Sequence, residues 1–329
     1  MKILIKFIGL IIVGLLILVG LFFILPESKA ELVYQYPAIP DAPAALEAFV
    51  SENESKQANI KPGNMAHIVW ADSSKTVTPY SMVYLHGFSA SHEEGGTVHD
   101  RLAEKFGMNT YYARMAFHGI EGRDGMSELT AETYFASALE AVAIGKKIGE
   151  KVILVGTSTG ATLGLPIMAY DQDIYAGIFY SPNIALANEN TKLMTKPFGM
   201  TLAESINGGE YFSFVAPEGA EQYWTCEYSL SAVRELQELI DATMTEEIFE
   251  KIEQPVLFCS YYKNEEMQDR VVSVAAMRTC MEQLSTPEEF KIFKELPTTE
   301  AHAMCSQYHS KDINAPYDES VKFLEIVMN

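Results

Sequence analysis

Lys151-Val152-Ile153-Leu154-Val155-Gly156-Thr157-Ser158-Thr159-Gly160-Ala161 is the stretch that decides how this 329-residue chain is read. Four apolar residues, three of them β-branched, run directly into Gly-x-Ser-x-Gly, and a largely apolar segment over 161–170 follows. The pattern predicts a buried strand, a sharp turn and a helix. At such a turn the serine takes a strained backbone conformation, and Gly156 and Gly160 leave out the side chains that would collide where strand and helix come close. Gly164 and Pro166 oppose a regular helix there, although a proline in its first turn is tolerated. Ser158 is therefore the first candidate for chemistry.

The composition sets wide bounds. With 48% hydrophobic residues the chain can bury one large core, or a core with an inserted cap. A formal charge of -20 argues against a nucleic-acid partner and against electrostatic adhesion to anionic lipid. Cys226, Cys259, Cys280 and Cys305 show no C-x-x-C spacing, so no zinc or redox motif is expected. No internal repeat or low-complexity tract stands out.

Residues 1–30 carry Lys2 and Lys6, an apolar run over 7–25, and then Pro26-Glu27-Ser28-Lys29-Ala30. Nineteen uncharged residues at about 1.5 Å each span roughly 28 Å, one hydrocarbon core. The expectation is a transmembrane signal-anchor, with the N-terminal lysines in the cytoplasm and the rest of the chain outside it. The alternative is a signal peptide cleaved near Ser28-x-Ala30, leaving a secreted or periplasmic protein. Residues 31–64 read as a linker with one short helix, started by Asp41 and Pro43.

Strands are expected over 65–70 and 80–85, and the second delivers His86-Gly87-Phe88-Ser89. His-Gly-Phe after an early strand and Gly-x-Ser-x-Gly after a later one resemble the α/β-hydrolase fold. That resemblance, over residues 65–329, implies an α/β class with a mostly parallel central sheet flanked by helices and an inserted, mainly helical cap. It also implies an oxyanion hole formed by the backbone N–H groups of Phe88 and Thr159, fixed donors for the negative charge that develops on an attacked carbonyl.

His92, Glu93, Glu94, His99 and Asp100 crowd the next loop, but their spacing is not H-E-x-x-H, so no metal is expected and the loop reads as solvated. A helix over 98–106, a strand over 109–115 and a long amphipathic helix over 130–148 follow, with His118 read as structural. After a strand over 174–181, residues 182–253 break the strand–helix alternation. They carry Met194, Phe198, Met200, Phe212, Phe214 and Trp224, and they read as the cap, its helices expected near 232–240 and 246–252. Such a lining suits an apolar acyl chain, or serves only to bind the cap to the body.

A strand over 255–261 leads to Gln268-Asp269-Arg270-Val271-Val272, which resembles the family's Asp-x-Val-Val, so Asp269 is the implied triad acid, with Glu265 and Glu266 as neighbouring rivals. After the last strand, over 290–296, His302 stands where the family places its histidine, with His309 as the rival. Ser158, Asp269 and His302 occur in the fold's own order. Within the fold, the cap position and the His-Gly-Phe loop look most like the carboxylesterase and monoacylglycerol lipase group. The expected activity is that of a serine hydrolase acting on small, apolar acyl esters and needing no cofactor. The alternatives are a peptidase of the same fold and a non-catalytic binding protein. If the domain is exported, Cys280 and Cys305, each near a loop the fold brings to the site, are the expected disulfide pair.

Overall fold

The computed structural model describes residues 27–328 and, ahead of them, 6–10, 13–14 and 20. Among the described residues no helix is long and apolar enough to cross a membrane. This corrects the expected transmembrane signal-anchor. Inside the 7–25 run the described residues are 7–10, 13–14 and 20. The remainder of that run lies outside the described residues.

Residues 27–41 form no helix or strand, yet Leu32, Tyr34, Tyr36 and Ile39 pack against the main core as a strap. Helix α1 (Pro43–Ser55) has Pro43 in its first turn, where its missing N–H costs nothing, and buries Leu46 and Val50. Its Glu54 is also buried, held by Arg114 through two bonds of 2.8 and 3.0 Å and by the amide of Ala66 at 3.0 Å. Removing one partner of such a pair strands a charge away from water. Arg114→Ala is therefore expected to lower the unfolding free energy by about 3–5 kcal/mol, read by urea denaturation.

Strands β1 (His67–Val69) and β2 (Thr78–Leu85), helix α2 (Gly96–Phe106), β3 (Asn109–Tyr112), α3 (Ala131–Ile148), β4 (Gly149–Thr157), α4 (Thr159–Tyr170) and β5 (Ile174–Tyr180) come in that order. Thr130 closes a capping box on α3. Helix α4 runs through Pro166, and Gly164 lets it press against Phe179 and Leu154, so the two residues that opposed a helix are accommodated by packing.

The segment after β5 contains α5 (Gly199–Asn207), a ribbon of β6 (Tyr211–Ser213) and β7 (Glu227–Ser229), α6 (Leu230–Thr243) and the short α7 (Glu246–Phe249). Helix α6 packs back on α3 and α4. The body resumes with β8 (Val256–Ser260), the hairpin β9 (Tyr262–Asn264) and β10 (Met267–Gln268), α8 (Val274–Gln283), β11 (Lys291–Glu295) and α9 (Asn314–Val327).

The central sheet has the order β1-β3-β2-β4-β5-β8-β11, with β1 antiparallel to β3 and the other pairings parallel. Side chains alternate between its faces. Val83, Leu85, Val152, Leu154 and Phe258 join α3, α4 and α8 in one core layer. Met82, Tyr84, Ile153, Val155 and Leu257 join α2 and α9 in the other.

This two-layer arrangement corrects the disulfide expectation. All four cysteines are free. Cys280 lies in the α3–α4–α8 layer and Cys305 in the α2–α9 layer, so the sheet separates them.

Candidate active site

Strand β4 ends at Thr157, and Ser158 follows at φ 54° and ψ −116°, a conformation L side chains rarely adopt. The turn is held from three sides. The Ser158 amide donates to the Tyr180 carbonyl at 2.9 Å, and the Ser158 carbonyl accepts from Ala161 at 2.9 Å and from Asn183 at 3.0 Å. A Cβ on Gly160 would strike the Leu85 carbonyl, and one on Gly156 would lie 2.7 Å from the Gly160 carbonyl carbon. The strain is thus fixed by strand–helix contact on both sides of the serine.

Strand β2 delivers His86 and Gly87 beside that turn. Both His86 nitrogens are engaged, Nε2 accepting from the Met115 amide at 3.0 Å and Nδ1 facing the Gly87 carbonyl at 2.9 Å. Burial and the neighbouring His118 hold its pKa well below the ordinary value, so the ring is a neutral pin for the loop. Among the described residues no acceptor takes the Phe88 amide. The Thr159 amide is the first of α4, where a helix has no internal acceptor to offer. Phe88, Thr159 and Ser158 line one cavity of about 1210 Å³.

His302 faces the same cavity from the loop after β11, and its carbonyl is tied to Ser181 Oγ at 2.8 Å and to the Met304 amide at 2.9 Å. Asp269, just past the β9–β10 hairpin, accepts from His302 Nδ1 through Oδ2 at 2.7 Å. Its Oδ1 accepts from the amides of Val271 and Val272 at 2.8 and 3.2 Å. Burial works to raise the Asp269 pKa, but the imidazole and the two amides outweigh it and leave the carboxyl below its ordinary value. For His302, burial works downward and the carboxylates of Asp269 and Glu94 work upward, with a net rise above 6.5.

Among the sequence rivals, the two glutamates turn away from the site, whereas His309 lines the same cavity without reaching Asp269. Glu265 accepts from Tyr262 Oη at 2.8 Å, Glu266 is exposed, and His309 engages Ser306 at 3.2 Å beside Trp224. Among the described residues no hydrogen bond joins Ser158 Oγ to His302. Resting enzymes often form that bond fully only around a bound substrate.

The loop over 92–100 departs from the solvated reading. Glu94 and His99 are buried, the His99 ring 4.1 Å from Tyr84 and 5.7 Å from Tyr180. Glu94 Oε2 accepts from the Gly87 amide at 2.7 Å and from Tyr84 Oη at 3.3 Å. Sequence reasoning missed both, and the one available signal was the short reach from Gly87 to the turn over 92–94. No group of side chains that could hold a metal occurs among the described residues.

The cavity lining is mostly apolar, with Met194, Leu202, Phe212, Phe214, Tyr228 and Leu236 in it, and also includes Asn183, Asn188, Arg270 and Glu300. The segment over 214–228 is fastened to the loop after β2, the Thr225 amide donating to the Ser89 carbonyl at 2.7 Å and Tyr228 meeting Phe88 edge-on at 5.1 Å.

No known protein-family pattern matches the chain, and neither does any curated protein. Solved structures do. A metagenome-derived lipolytic enzyme, LipS or LipT, aligns over 82% of this chain and 100% of its own at 14% identity, with a TM-score of 0.64. A soluble variant of monoglyceride lipase from Saccharomyces cerevisiae, in complex with a substrate analog, aligns over 80% of this chain and 91% of its own at 11% identity, with a TM-score of 0.61. Est1E from Butyrivibrio proteoclasticus, with ferulic acid bound, aligns over 80% and 94% at 18% identity, with a TM-score of 0.57. At these identities the likeness is one of fold.

Proposed function

The chain has the α/β-hydrolase fold, and we propose that it is a serine hydrolase cleaving carboxylic esters with an apolar acyl part through an acyl-enzyme. The observation that carries the reading is the 2.7 Å bond from His302 Nδ1 to Asp269, on an imidazole lining the same cavity as the strained Ser158. Asp269 fixes the tautomer that leaves Nε2 free to accept a proton. Ser158 Oγ gives its proton to Nε2 and bonds to the ester carbonyl carbon. The amides of Phe88 and Thr159 hold the resulting oxyanion, and the alcohol leaves with the proton returned from His302. Water, activated by the same imidazole, then releases the acid and restores Ser158. The apolar walls are what supports an acyl chain over a charged one, and the lipolytic and esterase activities named for the fold's neighbours point the same way.

The test is hydrolysis of nitrophenyl esters from acetate to palmitate, with fluorophosphonate labelling of the same preparation. Turnover with an optimum in chain length supports the reading. Turnover of aminoacyl amides alone would make the protein a peptidase, and a folded protein that does not label would make it a binding protein.

His302 must be neutral to accept the proton, and its carboxylate neighbours raise its pKa above 6.5. The expected result is a kcat/KM that falls tenfold per unit on the acid side, its midpoint above pH 6.5, read from the pH profile of the best ester.

A further inference from the structure

Glu94 has no part in the mechanism above, yet it is 3% exposed and lines the active-site cavity. We propose that Glu94 is a positioning residue that works as a second carboxylate partner of His302 and clamps the oxyanion loop through the Gly87 amide. The proposal rests on the serine-hydrolase reading and adds a residue to it.

The geometry places one carboxylate against the Gly87 amide and beside Ser158, in the cavity that His302 also lines. Oε2 takes the Gly87 amide at 2.7 Å, and among the described residues no acceptor takes the next amide, that of Phe88. A Cβ at Gly87 would sit 3.0 Å from both Glu94 oxygens and 3.1 Å from Ser158 Cβ, so the carboxylate and the serine share the space beside that glycine. Glu94 and His302 line the same cavity, and the charge of each acts on the other. The single turn over 92–94 is closed by the Glu94 amide on the Ser91 carbonyl at 3.0 Å, which fixes the direction of the side chain.

The groups facing Glu94 come from several elements: Tyr84 on β2, Tyr134 on α3, and His302 and Cys305 from the loop after β11. His302 is the one basic group among them. Its charge is influenced by Asp269 and Glu94, and it acts in turn on His309. Burial pushes the Glu94 carboxyl up to about 7, against the opposing pull of the Gly87 amide, His302 and Tyr84. The charges of Glu94 and His302 act on each other, so their protonation belongs to the pair. When His302 becomes imidazolium during attack, an ionised Glu94 favours it in addition to Asp269.

Glu94→Gln keeps the size and an oxygen for the Gly87 amide but removes the charge. The readout is the His302 imidazole titration, followed by NMR and assigned with His302→Ala, which needs no substrate. Its midpoint is expected to move down by about 0.5–1 pH unit, with the acid limb of kcat/KM moving alongside and the thermal midpoint nearly unchanged. Glu94→Asp, which restores the charge, should bring the titration back toward wild type. An unmoved His302 titration in Glu94→Gln would overturn the proposal, whatever happens to rate or stability. Should that variant not fold, the wild-type His302 curve decides. A two-step titration supports the pair, and a single one-proton curve defeats it. If the NMR shift is found without turnover of any ester, the substrate assignment fails and the role of Glu94 stands.

Discussion

Ser158→Ala is expected to lower kcat on the best ester by at least about 10⁴-fold while leaving the thermal midpoint within about 2 °C of wild type. The rate falls because the acyl-enzyme cannot form without Oγ. What remains is the binding and oxyanion stabilisation offered by the cavity and the amides of Phe88 and Thr159. Stability should hold because the backbone around residue 158, with its bonds to Tyr180, Ala161 and Asn183, does not use the hydroxyl. Alanine carries the same Cβ at φ 54°, so the turn is strained equally in both proteins. Adding His302→Ala to this variant should cost almost nothing further, since the two groups act as one unit. Steady-state kinetics with a nitrophenyl ester, together with loss of fluorophosphonate labelling, checks the prediction. A variant that kept a tenth of the wild-type rate would remove Ser158 from the mechanism.

The second large effect is expected for Asp269→Asn, a fall of about 10³–10⁴-fold in kcat near neutral pH. The reason lies in the two ends of this carboxylate. Oδ1 accepts from the amides of Val271 and Val272, so an asparagine must keep its oxygen there and turn its NH2 toward His302. A donor then faces Nδ1, which must become an acceptor, and the ring proton moves to Nε2. The nitrogen meant to take the Ser158 proton is already occupied. Asp269→Glu, which remains an acceptor but shifts its position, should lose less. The kcat ratio of the two variants separates a tautomer effect from a misplacement effect, and equal losses would mean the tautomer is not what Asp269 controls.

The parts of the molecule that were legible in the sequence share one property: local spacing decides them. The β-branched run before Gly156 and the small residues at 156 and 160 predict strand, strained turn and helix, and these are found. The pairing of Asp269 with His302 depends on loop geometry. Glu265 and Glu266 lie a few residues away, and only the β9–β10 hairpin, which points them to solvent, separates them from Asp269. Glu94 and His99 were misread because a run of charged residues looks solvated, whereas here a bare amide and two tyrosine rings draw them inward. The disulfide expectation failed on a property no spacing carries, the face of the sheet to which each cysteine belongs. The ribbon β6–β7 escaped notice because strands of three residues leave no period to detect. For the 7–25 run, length and hydropathy alone carried the expectation of a spanning helix.

The order of β4, β8 and β11 along the chain and across the sheet has a further consequence in time. Chain growth produces the serine turn long before the hairpin that bears Asp269, and the loop with His302 later still. β11 is an edge strand paired with β8 alone, so the loop that carries His302 joins the sheet at its margin. A growing chain that has only reached β5 carries Ser158 but neither Asp269 nor His302. The proposed serine chemistry therefore has to wait until the loop after β11 is made and seated.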